Sequence, residues 1–144
     1  MVTSNSSSAL RQYRKIDTES ATAYASPHRL IQMLMEGALD SLTKAKGHIQ
    51  RGEVVAKGEQ IGKAIGIVGG LREGLNLEAG ELATNLDTLY DYMQRRLVET
   101  NRRSDPNLVE EVIDLLRPLK EAWDAIGDSA QNTEESSTVT DAPA

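Results

Sequence analysis

The sequence predicts an all-α fold: an antiparallel up-down-up-down four-helix bundle with a short N-terminal capping segment. Three observations carry that prediction. Four stretches of the 144-residue chain repeat apolar residues at three- and four-residue intervals, the spacing that lines one side of a helix. Capping and breaking residues bracket those stretches, notably Ser26-Pro27, Gly52, Gly80 and Asp105-Pro106. The connections between them are short, which makes neighbouring helices antiparallel. No stretch reads as a strand, and no repeat of solenoid length is present.

The first helix is "SPHRLIQMLMEGALDSLTKAKGHIQRG", with Ser26 as N-cap, Pro27 at the first helical position and Gly52 as its stop. The second runs from about Val54 to Leu77. The third, "ELATNLDTLYDYMQRRLVETNRRS", follows a turn at Gly80 and ends in Arg95, Arg96, Arg102 and Arg103, cations suited to the negative end of a helix dipole. The fourth opens with Asp105 as N-cap and Pro106 behind it and reaches about Ile126, with Pro118 expected to kink or restart it. Flanking regions divide the chain into a flexible N-terminal segment with a short capping helix (1–20), the bundle (21–127) and a disordered acidic tail (128–144).

Laid on a helical wheel at about 100° per residue, the apolar faces of the first and fourth helices each cover roughly half the circumference. Leu30, Ile31, Leu34, Met35, Leu39, Leu42 and Ile49 line the first; residues from Leu108 to Ile126, including Trp123, line the fourth. Such width fits either an enlarged core or a groove for a partner. The third helix has a tighter stripe of Leu82, Leu86, Leu89, Met93 and Leu97. Tyr90 lies at its edge and Tyr92 further round, each suited to half-buried packing or to anchoring a contact. Upstream, Leu10, Tyr13 and Ile16 form one apolar edge of a segment too short to be stable alone. It either docks as a terminal turn or covers a groove as a removable lid.

The second helix poses a separate question. "GEQIGKAIGIVGGLREG" holds six of the chain's eleven glycines, and Gly58, Gly62, Gly66, Gly70 and Gly74 recur at every fourth position. A phosphate-binding loop would need four residues between its glycines and then Lys and Ser or Thr; here three intervene, and Lys63 precedes Ala64. A membrane-helix motif fails because Glu59, Lys63, Arg72 and Glu73 interrupt the apolar run. On the wheel the apolar stripe is Val54, Ile61, Ala64, Ile65, Val68, Leu71 and Leu75, and the glycines wind around the outer side. Each costs about 1 kcal/mol against Ala. Either this helix is locally loose, or its low outer surface lets another helix approach closely.

Composition narrows the function. A net charge of -6 argues against a nucleic-acid-binding module, and the absence of cysteine removes thiolate chemistry and Cys-ligated metals. No apolar run reaches membrane-spanning length, and "MVTSNSSSALRQYRK" lacks a secretory signal's apolar core, so the expected location is cytoplasmic, without membrane insertion. His28 and His48 read as helix-end residues, outside any Glu-x-x-His pattern, and the pair Glu110-Glu111 reads as solvated surface. Neither an enzyme, a metal site nor a cofactor is expected.

Two stretches carry a family resemblance. "ASPHRLIQMLMEGAL" (Ala25 to Leu39) resembles the start of the first helix in the flagellar secretion chaperone family, and "NLDTLYDYMQRRLVETNRRSDPNLVEEVIDLLRPLKEAWDAI" (Asn85 to Ile126) is similar to that family's last two helices. The resemblance extends in register from Tyr13 to Ile126. It implies a cytoplasmic export chaperone for bacterial flagellum biogenesis. Such a protein binds the C-terminal segment of flagellin, prevents premature polymerisation and delivers it to the flagellar type III export gate. It further implies that the N-terminal region holding Tyr13 covers a hydrophobic groove and is displaced by the client. Candidate partner-binding residues are then Leu10, Tyr13 and Ile16, the adaptable Met33, Met35 and Met93, the ridge residues Gly62, Gly66 and Gly70, and Tyr90 and Tyr92. The alternative is a helical regulatory adaptor that binds another flagellar regulator.

Overall fold

The computed structural model describes residues 26–141, with side chains through residue 127. Its helices are α1 (Pro27–Arg51), α2 (Val54–Glu73), α3 (Glu81–Arg103) and α4 (Pro106–Asp141), with a 3-10 turn at Leu77–Ala79 between α2 and α3. Each helix packs against its neighbours in sequence, and α4 closes the ring against α1. This is the four-helix bundle that the short connections predict.

The helix ends follow from their residues. Ser26 Oγ accepts from the Arg29 N–H at 3.0 Å, with Pro27 behind it at the first helical position. Gly52 takes φ 72°, a left-handed conformation that glycine adopts without strain, and its N–H and that of Glu53 reach back to α1 carbonyls. Asp105 Oδ1 accepts from the Asn107 N–H at 2.9 Å where α4 begins.

The core is aliphatic. Leu34, Met35, Ala38 and Leu42 from α1 meet Ile61, Ala64, Val68 and Leu71 from α2, Tyr90, Met93 and Leu97 from α3, and Val109, Val112, Ile113 and Leu116 from α4. Ile31, Leu39, Ile49, Leu115, Leu119 and Trp123 pack around this centre. The wide apolar faces of α1 and α4 are thus taken up largely by the bundle's own core. Val54 and Leu82, expected in the stripes of their helices, are exposed because they sit near helix ends, where neighbouring helices give less cover; Ile126, also expected in a stripe, is exposed on α4 at the level where α1 begins.

Two helix expectations need correcting. The helix is not restarted at Pro118, since α4 passes through it. Pro118 lies on the exposed side, as does Asp114, so the carbonyl one turn back that loses its N–H partner faces water. α2 ends at Glu73, short of Leu77, where Gly74 N–H closes on the Gly70 carbonyl and Leu75 N–H on that of Arg72. The expected capping helix over 1–20 lies outside the described residues. At the other end, α4 continues past 128 to Asp141.

Where α4 passes the start of α1, the packing is close. His28 stacks on Trp123, ring centroids 4.6 Å apart and 10° from parallel, and Trp123 Nε1 donates to the His28 carbonyl at 3.0 Å. Gly127 presses against the same imidazole: a Cβ there would stand 2.0 Å from His28 Nε2. Gly127→Ala is therefore expected to destabilise the bundle by about 1–3 kcal/mol, the usual range for overpacking. Denaturant unfolding would check it, and an unchanged midpoint would contradict this packing.

Candidate docking strip between α2 and α3

The seam between α2 and α3 repeats its contacts at seven-residue intervals, two of them polar. Gly58 lies opposite Asn101, whose Oδ1 is 3.8 Å from the position of a Gly58 Cβ. Gln94 Nε2 donates to the Ile65 carbonyl at 3.3 Å. Arg72 Nε donates to Asp87 at 2.6 Å and its Nη1 to Asp91 at 2.9 Å. Two helical turns separate successive contacts on each helix, as expected of a nearly antiparallel pair. This register places Gly62 opposite Leu97 and Val98.

On the outer side of that seam lies an open apolar strip. Val55, Gly58 and Gly62 follow at three- and four-residue spacing and so share one face of α2. Val55 is 77% exposed, Val98 on α3 is 58% exposed, and a Cβ at Gly62 would meet nothing within 4 Å. Arg95 and Arg102 flank Val98 at the same spacing, each paired within α3, to Asp91 and Glu99 respectively. Such i,i+3 and i,i+4 pairs hold little energy, so both arginines are readily re-paired. Since Gly62 is spacious and helical, Gly62→Ala is expected to raise stability by about 1 kcal/mol. Thermal or denaturant unfolding would read this, and destabilisation would mean the site is already filled.

The α3–α4 seam is charged. Glu111 accepts from Arg96 at 2.6 Å and from the Tyr92 hydroxyl at 2.9 Å. The hydrogen bond from Arg96 is the main influence holding the Glu111 carboxyl below the usual range, while Glu111 in turn raises the Tyr92 phenol. On α1, Lys46 bonds Glu110 at 2.9 Å. The pair Glu110-Glu111, expected as solvated surface, is part-exposed there and also ties α4 to two different helices.

The candidate residues separate into distinct places. Gly62 lies on the strip, exposed, and Gly66 is half-buried one turn on. Gly70 needs correction: it is buried, because Ile67, Val68, Gly69, Gly70 and Leu71 are all buried and α2 is enclosed on every side there. Met35, Tyr90 and Met93 lie in the core at 3%, 3% and 0% exposure, not on an adaptable surface, because the helix faces that carry them point at the other helices. Burial raises the Tyr90 phenol accordingly. Met33 is half-buried on α1, and Tyr92 sits on the α3–α4 seam rather than the strip. Leu10, Tyr13 and Ile16 lie outside the described residues. Sequence reading missed Val55, Val98, Gln94 and Lys57, since their significance depends on which residue of α3 faces which residue of α2.

Among the described residues, no group of three or more His, Cys, Asp or Glu could hold a metal ion, and no helix is long and apolar enough to cross a membrane. The family model of the flagellar protein FliS matches residues 9–130. The flagellar secretion chaperone FliSB of Pseudomonas aeruginosa is 51% identical over 119 residues, covering 82% of this chain and 94% of the relative. The flagellar secretion chaperone FliS of Salmonella typhimurium is 48% identical over 125 residues, covering 85% and 93%. That of Vibrio cholerae is 41% identical over 119 residues, covering 82% and 88%.

Proposed function

Because the chain belongs to the flagellar protein FliS family, we propose that it is a cytoplasmic export chaperone that binds the C-terminal segment of flagellin, keeps it from polymerising and delivers it to the flagellar export gate. The observation that carries this reading is the extent of the match. It runs over residues 9–130, which include Tyr13 and all of α1, α2 and α3. Relatives of that length and identity bear the name of flagellar secretion chaperone.

The mechanism is non-covalent. A client helix lays its apolar face along an apolar strip and leaves its polar face in water. Val55, Gly62 and Val98 supply such a strip: two exposed methyl-bearing side chains beside a position with no side chain, where a helix backbone can come close. A disordered segment loses conformational entropy when it folds onto this surface, so binding depends on the apolar area it buries. The segment around Leu10, Tyr13 and Ile16 is proposed to cover part of the client's path until displaced.

Calorimetric titration with the C-terminal segment of flagellin tests the reading. Saturable binding with a negative heat-capacity change is expected, the signature of apolar burial coupled to folding. An absence of binding at micromolar concentrations would contradict it.

A further inference from the structure

We infer that Lys57 is a positioning residue for client docking, clamping the C-terminal end of α3 to α2 so that the strip between them keeps its shape; the inference rests on the chaperone reading above. Lys57 is the one charged residue type found buried among the described residues, at 4% exposure. A lysine normally extends its amine into solvent. Here Nζ instead donates to the Asn101 carbonyl at 3.0 Å and to Ser104 Oγ at 2.6 Å. Asn101 belongs to the last turn of α3, where carbonyls run out of intrahelical partners, and Ser104 is the residue that caps it.

Ser104 is the only non-glycine residue with positive φ among the described residues, at 52°. Its N–H bonds the Thr100 carbonyl at 2.7 Å, and its hydroxyl is held by Lys57. One side chain from α2 therefore fixes the turn that ends α3. The neighbours of this clamp are strip residues. Val54 and Val55 precede Lys57, Gly58 follows it, and Asn101 lies one turn beyond Val98. Releasing the clamp frees the α3 end, along with Val98 and Arg102, to shift against Val55 and Gly62. A wheel reading gives no hint of this, because burial of Lys57 depends on the α3 terminus arriving opposite it.

Two variants separate positioning from simple stability. Lys57→Met keeps the stem and removes both hydrogen bonds. Gly127→Ala, which lowers stability at the opposite end of the bundle beside His28, leaves both hydrogen bonds in place. Lys57→Met is expected to fold, with faster amide hydrogen exchange at residues 101–104, and to bind the flagellin segment at least 10-fold more weakly than wild type. Gly127→Ala is expected to bind as wild type does. If folded Lys57→Met binds with wild-type affinity, the role of Lys57 is overturned while the chaperone reading stands. If the wild-type chain binds no segment, both are overturned.

Discussion

Val55→Asp combined with Val98→Asp is expected to weaken binding of the flagellin segment by about 100-fold, a loss of about 2.8 kcal/mol. Both side chains are exposed in the free chain, so the double substitution should leave stability within about 0.5 kcal/mol per site. In the complex the same positions would be covered. Each aspartate would then have to surrender its hydration without a partner, and the apolar contact of each valine would be gone. Leu82→Asp provides the control. Leu82 is equally apolar and more exposed than Val98, but it lies in the first turn of α3, at the far end from Val98. Titration of the three proteins against the same segment should show the loss in the strip variant alone. Equal weakening by Leu82→Asp would point to a general loss of apolar surface rather than to this strip.

The second large effect separates two adjacent residues. Leu97→Ala should cost about 2–5 kcal/mol, because Leu97 is wholly buried among core side chains and its truncation leaves a cavity. Val98→Ala, one position along the chain, should change stability by no more than about 0.5 kcal/mol. Urea unfolding of the two variants measures the contrast. It also checks the rotation of α3, since a turn of about 100° would exchange the two outcomes.

The fold was legible because it depends on local chemistry. Ser26 and Pro27 begin a helix wherever their sequence context allows one, and Gly52 ends it by taking a left-handed conformation. Leu34, Leu42, Leu97 and Leu116 announce their burial through spacing alone. The candidate site was legible only in part. The wheel placed Gly62 on an open surface, as found, but it placed Gly70 there as well. A wheel treats a helix as having one inner and one outer face along its whole length, whereas α2 is open at Gly62 and enclosed from Ile67 to Leu71.

Pairing between helices accounts for the rest. Nothing local to Gln94 indicates that its amide will reach the Ile65 carbonyl, or that Arg72 will span Asp87 and Asp91. Those contacts fix the α2–α3 register, and the register in turn sets Val98 beside Gly62. The glycine run takes on a sharper meaning from it. At Gly58 and Ile65 the close neighbour of α2 is α3 itself, while the space at Gly62 remains open.

Methyl spectra of the valines give the most direct test of the docking strip. With increasing flagellin segment, the account predicts that the Val55 and Val98 resonances move and saturate together, while those of buried Val109 and Val112 stay near their free positions. Saturation of binding with Val55 and Val98 unmoved would contradict it.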